Sequence, residues 1–137
     1  MTITHRAHEL LVAAAEAAAD KLAEDIVAFD VSDQLAITDA FLICSAPTDR
    51  QVHAIVEGVE ERMRTLGESP TRREGEREGR WVLLDYFDIV IHVQQAEDRR
   101  HYALERLWKD CPMVELPESV TTTAGRGDGT TSAGPEE

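Results

Sequence analysis

The chain has 137 residues, of which 42% are hydrophobic, and its formal net charge at pH 7 is −13. This length suits one domain with a single core, and the sequence has no apolar run near the roughly 20 residues that a membrane span requires. Because so acidic a chain repels phosphate and has no basic stripe with interleaved aromatic residues, sequence-specific nucleic-acid binding is not expected. The charge has two interpretations, attraction to a basic protein partner or solubility alone, and composition leaves both open.

The N-terminus and the cysteines predict a cytoplasmic protein without a metal or cofactor. Residues 1–6 lack the basic-then-apolar pattern of a secretion signal. Cys44 and Cys111 have no CxxC or CxxH spacing around them. We therefore expect one buried small hydrophobic residue and one bystander rather than a redox or zinc site.

The first half of the chain predicts helix, strand, strand, helix. Residues 5–22 form the first amphipathic helix, with apolar residues at spacings of three and four. Strands are predicted at 26–31 and 40–44, and the second should be buried on both faces because its apolar run is nearly continuous. The apolar positions of the first helix are Ala7, Leu10, Leu11, Ala14, Ala18 and Leu22.

The second helix carries its own start and stop signals. Thr48 is a candidate N-cap, and Gln51 three residues later can complete a capping box. Gly67 lies where a C-cap glycine belongs. The stripe that should be buried between them is Val52, Ile55, Val56, Val59, Met63 and Leu66.

The second half predicts a charged loop, a hairpin, a helix and a tail. Residues 70–79 form the loop, and strands at 80–85 and 89–93 joined by a tight connection form the hairpin. A long helix follows from Glu97 to Trp108. After residue 116 large apolar side chains are absent apart from Val120, so we predict a domain over 1–116 and a disordered tail over 117–137.

These elements define an α/β (α+β) domain with a mixed sheet of about four to five strands flanked by helices. Its sequence contains no recognisable catalytic set. Ser45 is not in a nucleophile elbow or a phosphate-binding glycine loop. The carboxylates of Asp85 and Asp88 lack the spacing of a metal-dependent nucleotidyl-transfer site. His92 alternates with apolar residues on a strand, and we expect it to be structural.

The first strand of the hairpin is apolar on both faces. Trp81, Leu83 and Asp85 point to one face because side chains alternate along a strand. If the helices leave that face open, Trp81 and Leu83 form an apolar patch of the kind that binds proteins. If helices cover both faces, all these side chains are core. The opposite face is formed by Val82, Leu84 and Tyr86.

Several blocks of the sequence resemble one family pattern in the correct order. Residues 39–45 (DAFLICS) and 49–55 (DRQVHAI) resemble D-x-F-V-I-A-S and D-R-Q-V-x-A-I. Glu74-Gly75 and residues 81–93 resemble E-G and W-x-L-L-D-Y-x-D-(I/V)-V-x-H-V. Residues 99–108 resemble R-x-x-Y-x-L-E-x-L-W. The pattern is that of the ribosomal silencing factor family, also called the RsfS or Iojap family, and it extends over about residues 5–115.

The resemblance implies a fold related to nucleotidyltransferases without their catalytic residues. It implies binding to the large ribosomal subunit through its protein fourteen, at the face where the small subunit joins, so that translation is repressed in starvation. It also implies that the free protein is able to form a homodimer. Phe87 departs from the family's usual glycine in the turn after Tyr86.

We place the predicted contact on the strand as a unit, because the sequence does not show which face docks. The apolar centre would be supplied by the strand's large side chains, and the carboxylates would meet cations of the basic partner and guide association. The alternatives are a nucleotide-binding enzyme of the related fold and a homodimeric scaffold for other partners. The predicted partner-binding residues are Trp81, Leu83, Leu84, Asp85, Tyr86, Asp88 and Glu74.

Overall fold

A five-stranded mixed sheet organises the fold. A computed structural model describes residues 3–120. The helices are α1 (His5–Asp20), α2 (Asp49–Thr65), α3 (Ala96–Tyr102) and α4 (Leu104–Leu107), and the strands are β1 (Glu24–Asp30), β2 (Ala40–Ala46), β3 (Arg72–Glu74), β4 (Trp81–Asp85) and β5 (Ile89–Gln95). The predicted α+β domain and its mixed sheet are confirmed.

The strands lie in the order β1-β2-β5-β4-β3. Only β2 and β5 run parallel, and the other neighbours are antiparallel. The predicted hairpin is the β4–β5 pair, in which Leu83 lies opposite His92. Residues that lie opposite each other on neighbouring strands project to the same face of the sheet, so this pairing determines which side chains can be in contact.

The helix ends follow local capping chemistry. The Thr48 hydroxyl accepts a hydrogen bond from the backbone N–H of Gln51 (3.2 Å) and donates to its side-chain oxygen (3.1 Å), so the predicted N-cap is confirmed. Gly67 has φ 82°, and its N–H reaches the carbonyl of Arg64 at 3.0 Å. It is therefore the predicted C-cap glycine.

The two faces of the sheet are covered unequally. Helices α1 and α2 pack on the inner face, where the main core includes the fully buried Leu10, Ile55 and Leu42. The outer face carries a smaller hydrophobic cluster around Phe29 and Ile43, against which Leu104 and Trp108 pack. Side chains of β4 on this outer face are thus left without a helix such as α1 or α2 above them.

The prediction that residues 70–79 form only a loop is wrong at one point. Residues 72–74 form the three-residue strand β3, which pairs with β4 and leaves β3, not β4, at the edge of the sheet. All three β3 residues are exposed, so the strand has no apolar alternation by which a sequence pattern would reveal it.

The prediction of a single long helix from Glu97 to Trp108 is also wrong, because the helix is interrupted at Ala103. This residue has φ 48° and ψ 53°, and it separates α3 from α4. The break is a case of packing overriding helix propensity. It lets Tyr102 lie against Trp81 while Trp108 lies against Phe41.

Packing extends beyond the predicted domain boundary at residue 116. Val120 is fully buried in the main core, and its N–H donates to the carbonyl of Pro117 (3.0 Å). The rest of the predicted tail, residues 121–137, lies outside the described residues.

A truncation pair tests the contribution of Val120. A chain ending at Leu116 should lose about 1.5–3 kcal/mol of unfolding free energy, the value expected for burying one valine side chain. A chain ending at Ala124 should match the full-length protein. Urea denaturation measures both, and equal stability of the two truncated chains would contradict the packing of Val120.

Candidate protein-binding surface

Alternation along β4 divides its side chains between core and surface. Val82, Leu84 and Tyr86 are buried against α1 and α2, whereas Trp81 and Leu83 are half-buried on the outer face. The prediction that the strand docks as a unit is therefore corrected for Leu84 and Tyr86, which are 0% and 3% exposed and cannot reach a partner in this fold. We call four of the remaining predicted residues the outer β4 surface: Trp81, Leu83 and Asp85, with Glu74 of β3 beside Leu83. Asp88, the other remaining residue, lies in the turn after β4.

A row of aromatic side chains crosses the outer face of the sheet from Trp81 to Trp108. The ring centroids of Trp81 and Tyr102 are 4.9 Å apart, and those of Trp81 and His92 are 6.1 Å apart. Phe41 continues the row at 5.2 Å from His92 and 5.0 Å from Trp108. Aromatic pairs at these separations attract one another beyond their burial. The row holds Trp81 in one place while Tyr102, 53% exposed, extends the apolar surface.

His92 fixes the orientation of the Trp81 indole. The indole N–H of Trp81 donates to Nδ1 of His92 at 3.1 Å. Since an indole nitrogen is only a donor, Nδ1 must be the unprotonated nitrogen and the ring proton lies on Nε2. Burial of the imidazole lowers the pKa of His92 to about 4, so it remains neutral and able to accept this bond. The expectation of a structural histidine agrees with this contact.

The depressed pKa of His92 predicts acid sensitivity. In the unfolded chain this group titrates near its ordinary pKa of 6.5, and in the folded chain its pKa is about 4. Between these values the unfolded state binds more protons, so stability should fall as the pH drops from 6.5 to 4, by up to about 3 kcal/mol. Urea unfolding at several pH values measures the slope.

A matched variant isolates the contribution of this histidine. His92→Asn cannot titrate, and its side-chain oxygen retains an acceptor for the Trp81 indole. The variant should lose stability less steeply over the same pH range. Identical slopes in both proteins would show that His92 is not the titrating group.

Two of the predicted carboxylates, those of Glu74 and Asp85, already have partners within the chain. Arg72 lies 3.3 Å from the Glu74 carboxylate and 3.7 Å from that of Asp85. Asp85 Oδ1 also accepts a hydrogen bond from the backbone N–H of Phe87 (2.8 Å), while Asp88 is half-buried in the same turn. An incoming cation would therefore compete with Arg72 at an exposed, solvent-screened pair, which costs little.

Residues 3–120 give little support for a metal site, a reactive cysteine or a membrane-spanning helix. No group of three or more His, Cys, Asp or Glu residues in this range is arranged to hold a metal ion. The two cysteines of this range, Cys44 and Cys111, are unpaired and buried, and burial raises the pKa of Cys44 to about 12. This thiol is therefore protonated at neutral pH and a poor nucleophile. None of the helices within residues 3–120 combines the length and the apolar character that crossing a bilayer requires.

A cleft elsewhere in the fold lies between β1 and the segment 113–118. It has a volume of about 660 Å³, and its lining combines aliphatic side chains with two carboxylates. No basic side chain that could bind a phosphate lines it, so it does not suggest a nucleotide site. Its lining residues are Ile26, Val27, Ala28, Met113, Val114, Glu115, Leu116 and Glu118.

The geometry thus defines a small α+β domain whose outer sheet face presents an ordered apolar surface with charges around it. Comparison with known proteins places the domain more closely. Residues 4–136 match the family model described as "Ribosomal silencing factor during starvation". The chain belongs to this ribosomal silencing factor family, as the motifs of the sequence indicated.

Three similar proteins illustrate the match. The ribosomal silencing factor RsfS of Bacillus subtilis is 41% identical over 107 residues, which cover 78% of this chain and 91% of that protein. A crystal structure from Bacillus halodurans superposes with a TM-score of 0.71 at 39% identity, covering 80% of this chain and 99% of that one. A mouse protein named "Mitochondrial assembly of ribosomal large subunit protein 1" is 32% identical over 89 residues, covering 63% of this chain and 39% of that protein.

Sequence patterns did not reveal the contact between Trp81 and His92. The information was nevertheless present in the hairpin. A connection at Phe87-Asp88 places Leu83 opposite His92 and Trp81 opposite Gln94. A tryptophan then lies diagonally across from the histidine on the same face, within reach of a large aromatic side chain.

Proposed function

We propose that this chain represses translation by binding the large ribosomal subunit and blocking its association with the small one. The observation that carries the proposal is the outer β4 surface, in which Trp81 is held half-exposed by His92 and Tyr102. Membership of a family described as silencing ribosomes during starvation supports a ribosomal target. The name of the mouse relative favours the large subunit.

Charge supports a protein partner rather than exposed ribosomal RNA. The net charge of −13 is repelled by phosphate and attracted to a basic protein. We propose the large subunit's protein fourteen as that partner, on the resemblance described above. Trp81 and Leu83 would form the buried centre of the contact, and Glu74, Asp85 and Asp88 would form its charged rim. Rim charges act mainly on orientation and association rate.

The proposed mechanism is steric. A folded domain bound where the subunits meet fills space that the small subunit needs, so no chemical step is required. Binding and subunit joining then compete for one surface of the large subunit. The repression should therefore increase with protein concentration and be reversed by removing the protein.

A subunit-joining assay tests this function. Purified large and small subunits are mixed with and without the protein, and sucrose gradients resolve joined ribosomes from free subunits. We expect the joined fraction to fall and the protein to sediment with the large subunit alone. Normal joining at saturating protein would contradict the proposal. A calorimetric titration with ATP and magnesium, expected to be flat, tests the alternative of a nucleotide-binding enzyme.

A further inference from the structure

Phe87, in the turn between β4 and β5, has an unfavourable backbone conformation. Its φ is 73°, in the left-handed region that favours glycine. The N–H of Asp88 donates to the carbonyl of Tyr86 at 2.8 Å across it. This bond and the positive φ identify a classic γ-turn, a rare and strained arrangement.

Burial of the Phe87 side chain does little to offset this strain. Its side chain is 56% exposed, among the larger apolar side chains that residues 3–120 leave open to solvent. The turn itself is held by the backbone and by Asp85, whose carboxylate accepts the Phe87 N–H at 2.8 Å. Backbone strain that the fold does not require is typical of functional sites.

The surroundings of the ring suit a cation. Phe87 follows Asp85 of the outer β4 surface by two residues and directly precedes Asp88. An aromatic ring attracts a guanidinium or ammonium group over its face, and adjacent carboxylates strengthen such a site. A second exposed apolar residue, Ile37, lies in the loop tied to this turn by a 2.8 Å hydrogen bond from the N–H of Asp39 to the carbonyl of Asp88.

We propose that Phe87 is a further partner-contacting residue, which extends the outer β4 surface and binds an arginine or lysine side chain of the same basic ribosomal protein. This inference rests on the proposed function. The strained turn presents the ring beyond the end of β4, so that the cation stacks on it while pairing with Asp85 or Asp88. The ring would then contribute to partner selection rather than to the fold.

The proposal predicts opposite changes in stability and binding when Phe87 is replaced by glycine. Phe87→Gly relieves the strain, so the melting temperature should rise by about 3 °C. Its affinity for isolated large subunits should fall about fivefold, the loss expected for one cation–π contact. Phe87→Tyr keeps the ring and should bind within about twofold of the unmodified protein.

Leu22 offers a matched control. It also has a positive φ, 64°, and an exposed apolar side chain, but it lies at the end of α1 on the other side of the sheet. Leu22→Gly should raise the melting temperature similarly and leave binding unchanged.

The outcomes separate this inference from the proposed function. Weaker binding by a more stable Phe87→Gly protein supports the inference. Unchanged binding by Phe87→Gly, with binding lost in Trp81→Ala, overturns the role of Phe87 and leaves the β4 contact standing. Unchanged binding in both variants would overturn both. A lower melting temperature for Phe87→Gly would overturn the argument from strain.

Discussion

Replacing Trp81 with alanine is expected to weaken binding to isolated large subunits by about 30-fold or more, since a central tryptophan of an interface typically contributes 2 kcal/mol or more. The indole is half-exposed on the outer face, packed against the ring of Tyr102 and hydrogen-bonded to His92. Its orientation is therefore fixed before the partner arrives, and little entropy is lost when it is buried. Equilibrium sedimentation of labelled protein with large subunits measures the change.

Two comparisons show whether the loss belongs to the surface. The alanine variant leaves His92 without its donor, which should cost about 1–2 kcal/mol of unfolding free energy but not the fold; circular dichroism checks this. Leu22→Ala removes an exposed apolar side chain from the end of α1 and should bind normally. Full binding by a folded Trp81→Ala protein would show that the outer β4 surface does not bind the large subunit.

Truncating the two neighbouring leucines of β4 should have different effects, one on stability and the other on binding. Leu84 is fully buried against the inner helices, so Leu84→Ala should lose about 2–5 kcal/mol of unfolding free energy. Leu83 is half-buried on the outer face. Leu83→Ala should lose less than about 1 kcal/mol of stability and yet bind large subunits less tightly.

Urea denaturation and large-subunit binding, measured on both variants, test this assignment of faces. The fraction of Leu84→Ala that remains folded should bind normally, because its side chain lies in the core. Equal losses of stability in the two variants would contradict the alternation. So would reduced binding by folded Leu84→Ala with normal binding by Leu83→Ala.

Local chemistry made the second helix predictable. Thr48 and Gly67 each satisfy backbone groups at a helix end within a few residues of themselves, so their roles depend on short-range sequence alone. The β4–β5 hairpin was predictable for the same reason. The break at Ala103 was not, because alanine favours helix and the break depends on distant contacts of Tyr102 and Trp108.

The candidate site was predictable only to the strand. Alternation separates Trp81 and Leu83 from Leu84 and Tyr86, but it assigns neither pair to the surface. That assignment depends on α1 and α2 packing on the same side of the sheet, which is a long-range choice. The partial neutralisation of Glu74 and Asp85 by Arg72 depends on β3, a strand too short and too polar to be recognised in the sequence.

Site-specific photo-crosslinking tests most directly that the outer face of β4 contacts the large subunit. A photoreactive phenylalanine derivative is placed at Leu83 or, as the control, at Glu61, which is exposed on α2. Both proteins are irradiated with large subunits. We expect the derivative at Leu83 to crosslink to one basic large-subunit protein and the derivative at Glu61 not to crosslink. Crosslinks from Glu61 with none from Leu83 would contradict the claim that the outer face of β4 contacts the large subunit.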